Sequence, residues 1–392
     1  MNLAFRLGSR SIRAPLATRL ITTTPTQSPR VHVLGLGSIG SFAAHSLAEI
    51  PSPPSITLLL HRASLLDEYR ANGSQITLER NDGTIVNHSD YSFEVLHGDS
   101  WRSASPELSP INDTIENLIL SVKGYQTVDA LRPLKHRLGP NSTILFLQNG
   151  CGMIDEANEH LFADPATRPN YIIGVTSHGV GLNSPFNITH TGFAATSLGP
   201  VPRSLNPDSA CTANTTNNDN YLLQTLPLVP QINGKSHPYP TVFQHQLEKL
   251  AVNAFSNPIS ALNNAPVDNL RSIPGTRRAL TREISRIIQA LPELQSVPGI
   301  AERFSPARLD ETVKGVIEMN ARTTVSMVWD LRAGRETEIQ YINGYWARRG
   351  RELGIPTPIN DALVARVVER TVEVKRGRRK GAFGGGSVGF DI

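Results

Sequence analysis

The first half of the chain alternates short apolar runs with amphipathic segments. Val31–Leu34 is an apolar run of strand type, and Ser38–Ile50 has apolar residues at helical spacing without an internal proline. Similar patterns predict strands at Ser55–Leu60, Gln75–Leu78, Tyr91–Leu96, Asn117–Ser121, Thr143–Leu147 and Tyr171–Val175, and helices around Gln126–Leu138 and Met153–His160. This alternation predicts a mostly parallel sheet covered by helices.

The pattern changes twice in the second half of the chain. Phe186–Thr191 and Ala194–Leu198 look like a closing hairpin, after which residues 201–240 are rich in Asn, Thr, Ser and Pro and predict a variable insertion or linker, with the insertion at Pro200–Asn220. Beyond Thr241 only helical patterns occur, at Gln244–Asn257, Arg277–Leu291, Pro306–Asn320, Glu336–Leu353 and Asp361–Val374. We therefore predict an α/β domain at 31–200 and an all-helical domain at 241–374.

A glycine-rich turn joins the first strand to the first helix and reads Gly35-Leu36-Gly37-Ser38-Ile39-Gly40. In a G-x-G-x-x-G turn the first glycine permits the tight bend, the second leaves room for a pyrophosphate, and the third lets helix and strand pack closely. The helix N-terminus then faces the phosphates. These six residues predict a Rossmann-type dinucleotide-binding domain, although a glycine-rich turn without a cofactor has the same local pattern.

The end of the second predicted strand bears on the choice of dinucleotide. Arg62 follows Ser55–Leu60, and no acidic residue stands at that strand end. A carboxylate there favours the free ribose 2′-hydroxyl, whereas an arginine suits a 2′-phosphate. The sequence therefore favours NADP(H), the alternative being a solvated surface arginine.

Composition limits the other possibilities for this chain of 392 residues. Its two cysteines, Cys151 and Cys211, form no CxxC pair, so neither a disulfide framework nor a metal site is predicted, and no apolar run is long enough to cross a membrane. Residues 1–30 hold five arginines and no acidic residue. That composition is typical of a presequence for the mitochondrial matrix; a plain basic tail would leave the protein in the cytoplasm. Residues 375–392 predict a basic, glycine-rich tail, and this tail alone is weak support for a nucleic-acid partner, so none is expected.

Polar residues at helical spacing mark the candidate chemistry of the second domain. In KLAVNAFSNP, Lys249, Asn253 and Asn257 are four residues apart, so they lie along one face of a helix that Pro258 should end or kink. Burial lowers the pKa of a lysine, which allows the ammonium group to act as a general acid near neutral pH. A solvated lysine is the plainer alternative.

A second cluster contains Ser326 and Glu338. Glu338 is predicted near the start of the helix Glu336–Leu353, where a carboxylate suits the helix N-terminus. Helix capping alone would explain that acidic residue.

With these motifs in place, the chain resembles the ketopantoate reductase (2-dehydropantoate 2-reductase) family between about Val31 and Val372. The resemblance rests on GLGSIG at 35–40, SVK at 121–123, QNG at 148–150, THTG at 189–192, KLAVNAFSNP at 249–258 and SMVWDLRAGRETEIQYING at 326–344. It implies a fold like that of 6-phosphogluconate dehydrogenase, in which a Rossmann domain and a helical domain enclose the active site. One position departs from the family pattern, since Val267 follows Pro266 where some members have an asparagine, and Asn269 comes two residues later.

The resemblance also implies roles for individual residues. The glycine loop and Arg62 would hold NADPH, with Lys123 and Asn149 at its nicotinamide end. Lys249 would donate the proton, and Glu338 would lie close to Lys249 and the cofactor. The substrate would be held by Asn149, Lys249, Asn253, Asn257 and Ser326.

The leading hypothesis is NADPH-dependent reduction of 2-dehydropantoate to (R)-pantoate, a step in pantothenate and coenzyme A biosynthesis. One alternative is reduction of another branched 2-keto acid, because the polar ladder recognises the polar groups more than the alkyl body. Two further alternatives keep the fold without the activity: a protein that only binds NADP(H), and a protein that binds RNA. The expected ligand is a small 2-keto acid. The chain is also expected to form a homodimer with a second copy of itself.

Overall fold

The computed structural model describes residues 28–104, 109–203 and 220–379, which form a sheet-containing domain followed by a helical domain. Within these ranges no helix is long and apolar enough to span a membrane. Residues 1–27 of the predicted presequence, residues 204–219 of the insertion predicted at Pro200–Asn220, and the predicted tail from residue 380 lie outside the described residues.

Thirteen strands are found in the described part of the first domain: β1 (Arg30–Leu34), β2 (Ser55–Leu60), β3 (Ile76–Glu79), β4 (Ile85–His88), β5 (Ser92–His97), β6 (Ser100–Ser103), β7 (Asn117–Leu120), β8 (Thr143–Phe146), β9 (Asn170–Thr176), β10 (Gly179–Ser184), β11 (Asn187–Gly192), β12 (Thr196–Val201) and β13 (Gly234–Ser236). Its α-helices are α1 (Ser38–Ala48), α2 (Ser64–Ala71), α3 (Thr127–Leu131), α4 (Met153–His160) and α5 (Tyr221–Thr225). Short 3₁₀ turns flank α3, at Gly124–Gln126 and Arg132–Arg137, where a single helix was predicted.

The large sheet has nine strands in the order β13-β12-β9-β8-β7-β1-β2-β5-β6. The six strands from β9 to β5 are all parallel, and β1 pairs with β2 on one side and β7 on the other. Their apolar runs are buried, as expected for parallel strands covered by helices on both faces. The prediction of a mostly parallel sheet is confirmed.

The predicted hairpin of Phe186–Thr191 with Ala194–Leu198 is wrong. β11 instead pairs with β10 and β3 in a separate four-stranded sheet of order β10-β11-β3-β4. β12 joins the large sheet antiparallel to β9. The error arose because β10, the true hairpin partner of β11, is glycine-rich and partly exposed. It therefore lacks the apolar run by which a strand is predicted.

The end of the predicted linker belongs to the first domain. Leu222 and Leu223 of α5 are buried in its core, and β13 pairs parallel with β12. Residues 220–236 therefore fold with the large sheet and are not part of a linker, although the sequence before them is polar.

The helical domain is built around the 25-residue helix α6. Its helices are α6 (Tyr239–Asn263), α7 (Pro274–Ala290), α8 (Ile300–Arg303), α9 (Pro306–Met319), α10 (Ser326–Arg332), α11 (Asn343–Glu352) and α12 (Pro358–Arg379). α6 contacts α7, α9, α10 and α12 around a core that includes Phe255 and Trp346. The segments described after Thr241 contain no strand, which agrees with the predicted all-helical domain.

Pro258 does not end α6, which continues for five more residues. A proline lacks the N–H that would bond to the carbonyl four residues earlier, here that of Ala254. The Asn343 side-chain amide donates to that carbonyl at 2.9 Å instead. A buried amide from α11 thus satisfies the acceptor that the proline leaves open.

Two other helix predictions need correction. The segment Glu336–Leu353 is not one helix, because a 3₁₀ turn at Ile339–Tyr341 is separated from α11 by Ile342, whose ψ is −89°. α12 extends past Val374 to Arg379, so the first residues of the predicted tail are helical. Lys375 pairs there with Glu336.

Candidate active site

The glycine loop between β1 and α1 is shaped for a ligand that approaches the backbone. Gly35 has φ +98°, and a Cβ there would lie 2.5 Å from the Val122 nitrogen. A Cβ on Gly40 would collide with the Gly35 carbonyl oxygen, whereas a Cβ on Gly37 would meet nothing within 4 Å. Two glycines therefore allow the loop to pack, and the third leaves open space beside it.

Helix α1 begins directly at this open space. Gly37 is its N-cap, no side chain caps it, and its first turn contains no acidic residue. Uncapped backbone N–H groups and the positive end of the helix dipole favour a phosphate. The loop therefore fits a dinucleotide pyrophosphate, with Ser38 in the first turn and Leu36 and Ile39 packed against the domain core.

Arg62 lies beyond the end of β2 with its side chain about half exposed. Its guanidinium group is 3.0 Å from the Glu68 carboxylate and donates to Ser64 Oγ at 3.1 Å. The cation therefore stands at the strand end where the sequence predicted it, and a 2′-phosphate would compete with Glu68 for it.

Lys249 projects from α6 towards the large sheet. Its Nζ donates to Asn149 Oδ1 at 2.8 Å and to the Thr176 carbonyl oxygen at 2.5 Å. Burial lowers the pKa of Lys249 from 10.5 to about 8, although the nearby Glu338 carboxylate opposes the shift. A lysine with this pKa can release a proton near neutral pH.

Polar side chains surround this lysine in a small crevice between the domains. The wall of the crevice includes Gln148, Asn149, Gly150, Gln246, Lys249 and Asn253. The structure therefore brings Lys249 and Asn253, which the sequence placed on one helix face, together with Asn149, which only the family resemblance had implied.

Two other predicted substrate residues lie further away along the helical domain. Asn257 is two turns beyond Lys249, about 12 Å along the axis of α6, and accepts a hydrogen bond from Ser256 Oγ at 3.3 Å. Ser326 is the exposed first residue of α10, which packs on α6. Neither residue lines the crevice in this structure.

Lys123 and two carboxylates connect the domains on another side of the site. Lys123 Nζ lies 2.9 Å from Asp330 Oδ2 and 3.2 Å from Glu338 Oε2. Burial opposes the charge on this lysine, but attraction by the two carboxylates prevails and raises its pKa. Glu338 also accepts from the Gly124 backbone N–H at 3.1 Å, so its carboxylate binds the first domain instead of capping a long helix.

Sequence reasoning missed Asp330, which is buried and also accepts from Arg335 Nε at 3.0 Å. Asp330 could have been considered from the sequence, because it lies in the segment SMVWDLRAGRETEIQYING, four residues after Ser326 and eight before Glu338. The unusual Asn269 has a role within the fold, because its side chain bonds to Ser260 and Asn263 at the end of α6.

The fold and the site define a two-domain oxidoreductase that uses a nicotinamide dinucleotide. The family model described as ketopantoate reductase PanE/ApbA matches residues 31–203, and its C-terminal counterpart matches residues 241–370. Together they cover more than half of the chain, which therefore belongs to the ketopantoate reductase family.

Two fungal relatives match most of the chain. A probable 2-dehydropantoate 2-reductase of Schizosaccharomyces pombe is 27% identical over 341 residues, covering 85% of this chain and 94% of that protein. The ketoisovalerate reductase BEA2 of Gibberella fujikuroi is 26% identical over 356 residues, covering 81% of this chain and 77% of that protein.

Solved structures share the fold. D-mandelate dehydrogenase with NADH and anilino(oxo)acetate has a TM-score of 0.63 at 18% identity, covering 88% of this chain and 99% of that one. A dimeric ketopantoate reductase from Staphylococcus aureus has a TM-score of 0.60 at 19% identity, with the same two coverages.

Proposed function

We propose that this protein reduces 2-dehydropantoate to (R)-pantoate with NADPH. The observation that carries the proposal is the Nζ of Lys249, which is held by Asn149 and the Thr176 carbonyl and has a pKa near 8. A proton donor of this kind is what reduction of a ketone requires, because the carbonyl oxygen gains negative charge as the carbon is reduced. The fungal relative named as a 2-dehydropantoate 2-reductase supports the choice of substrate.

The residues of the glycine loop and the end of β2 would hold the dinucleotide. The N-terminus of α1 would bind the pyrophosphate at Gly37. The Arg62 guanidinium would leave its ion pair with Glu68 and pair with the 2′-phosphate of NADPH. Lys123 would place a permanent positive charge near the nicotinamide end, held by Glu338. The reduced nicotinamide, when bound, supplies a hydride to the ketone carbon.

Lys249 would transfer its proton from Nζ to the carbonyl oxygen of the substrate. Asn149 lies within hydrogen-bond distance of Nζ, so it would orient both the lysine and the substrate oxygen. Asn253, one helical turn away in the same crevice, would bind a substrate hydroxyl.

Closure of the domains would also affect the more distant substrate residues. Ser326 and Asn257 belong to the helical domain, as Lys249 does, so rotation of that domain would move all three residues relative to the dinucleotide on the large sheet but would leave Asn257 about 12 Å from Lys249 along α6. Ser326 would then receive the substrate carboxylate.

The decisive assay follows the loss of NADPH absorbance with 2-dehydropantoate, and separately with 2-ketoisovalerate. We expect turnover to favour 2-dehydropantoate and NADPH over NADH, and to be lost in Lys249→Met. The matched control is Lys314→Met, because Lys314 is an exposed lysine of α9. Preference for 2-ketoisovalerate would move the assignment towards the activity named for the Gibberella relative. Binding of NADPH without turnover of any 2-keto acid would refute a reductase and favour a silent dinucleotide-binding protein.

Location and assembly are further parts of the proposal. The arginine-rich, acid-free residues 1–30 support import into the mitochondrial matrix. The dimeric structure from Staphylococcus aureus supports a homodimer. Fusion of residues 1–30 to a fluorescent protein, and light scattering of the purified protein, would test the two expectations.

A further inference from the structure

Two histidines and a glutamate meet where α1 packs on the four-stranded sheet. His45 and Glu49 are four residues apart at the end of α1, so they share one face of the helix. His88 is the last residue of β4, and its ring centroid lies 4.6 Å from that of His45. One ligating atom from each of the three side chains lies within 4.8 Å of the others.

The tautomer of His45 is fixed by its surroundings. Its Nε2 lies 3.1 Å from the Val86 carbonyl oxygen, which can only accept, so Nε2 carries the proton. Nδ1 therefore presents a lone pair, and the side chain is completely buried. A histidine that donates one ring N–H to a carbonyl and leaves the other nitrogen free has the usual arrangement of a metal ligand.

Several polar atoms in this cluster are buried without partners among the described residues. They are His45 Nδ1, His88 Nε2 and Glu49 Oε2. A buried polar atom without a hydrogen bond costs about 1–3 kcal/mol, so three of them in one place call for an additional ligand.

We propose that His45, Glu49 and His88 bind a zinc ion that fastens the β3–β4 hairpin to α1. Two imidazole nitrogens and a carboxylate oxygen are typical zinc ligands, and a water would complete four-coordination. With bonds of about 2.0–2.1 Å, tetrahedral ligand atoms lie about 3.4 Å apart, so the three side chains need only a small inward movement. His88 and Glu49 are partly exposed, which gives the ion a path into the site.

Arg80 also contacts this cluster. It pairs with Glu49 Oε1 and leaves Oε2 without a partner, so it would orient the carboxylate in the way that outer groups orient metal ligands. Its positive charge weakens attraction for a cation, which makes a single zinc site of moderate affinity the expectation. The cluster lies at the end of α1 opposite the glycine loop, so the ion would stabilise the domain without touching the reacting groups.

The test uses the full chain, freed of metal with a chelator and titrated with zinc. We expect one equivalent of zinc per chain and a higher unfolding temperature with zinc. Substituting cobalt should give the visible absorption of a tetrahedral site. In His88→Ala the zinc affinity should fall by more than about tenfold.

A second variant and a control keep the result interpretable. Glu49→Gln preserves the size of the side chain and should also lose zinc, whereas His97→Ala alters an exposed histidine at the end of β5 and should bind zinc like the unaltered chain. Circular dichroism checks that each variant is folded. Absence of zinc binding by the folded unaltered chain, or equal binding by all three variants, would overturn the proposal.

Discussion

Replacing Lys249 by methionine should change how both stability and activity depend on pH. The variant keeps an unbranched side chain that is one atom shorter and removes the titrating group. Burial lowers the pKa of Lys249 from 10.5 to about 8. At about 1.4 kcal/mol for each pKa unit, the folded protein disfavours the charged lysine by about 3 kcal/mol.

The sign of the stability effect follows from this lowered pKa. Below about pH 8 the folded state carries the full cost of the buried charge, and the cost disappears as the pH rises towards 10.5. The free energy of unfolding of the unaltered protein, minus that of Lys249→Met, should therefore rise by most of about 3 kcal/mol between pH 7 and pH 10. Urea unfolding at several pH values measures this difference. Loss of the hydrogen bonds to Asn149 and Thr176 shifts the whole curve without changing its slope.

The same pKa controls the proton donor in catalysis. We expect kcat/KM to be constant below about pH 8 and to fall about tenfold for each pH unit above it, because the deprotonated amine cannot donate. Lys314→Met should follow the unaltered profile. A stability difference that is independent of pH, together with activity that persists to pH 10, would show that Lys249 has an ordinary pKa and that our reasoning about its burial is wrong.

Three further variants test the rest of the site. Arg62→Ala should raise KM for NADPH about 10- to 100-fold with little effect on NADH, since a hydrogen bond to a charged group is worth about 1.5–3 kcal/mol, and Arg70→Ala on the exposed side of α2 should change neither. Gly37→Val should abolish dinucleotide binding and leave the melting temperature nearly unchanged. Gly40→Ala should lower the melting temperature, because only this substitution collides with backbone. Equal melting temperatures for the two variants would contradict the expectation. Asp330→Asn should weaken the interdomain ion pair and raise KM for NADPH more than it lowers kcat, as steady-state kinetics would show.

The sequence predicted the parts of the fold that depend on local patterns. Buried parallel strands appear as continuous apolar runs, and the glycine loop lies between one such strand and a helix, so both could be located without a structure. The four-stranded sheet could not, because β10 and β4 are largely exposed and because its two hairpins are joined by β11 and β3, which are more than one hundred residues apart along the chain. Pairing across such distances depends on packing that no local pattern records.

The candidate site shows the same limit. The spacing of Lys249 and Asn253 placed both residues on one helix face, and the structure has them in one crevice. The partners of Lys123 were not predictable, since Asp330 and Glu338 are more than two hundred residues away and reach it across the domain interface. Glu338 was also expected near the start of a long helix. The helix instead begins after Ile342, and the Glu338 carboxylate accepts a hydrogen bond from the Gly124 backbone N–H of the first domain.

The two lysines of the site illustrate why the assignment of the proton donor requires the structure. Lys123 faces two carboxylates, which raise its pKa and keep it charged, whereas Lys249 faces neutral amide and carbonyl oxygens, and burial lowers its pKa. Groups of one chemical type whose environments separate their pKa values are suited to different roles. Lys123 is therefore suited to remain charged and to hold the two carboxylates of the helical domain, and Lys249 is suited to release a proton and regain it. Exchanging the environments of these two residues would be expected to exchange their roles, because the side chains themselves are identical.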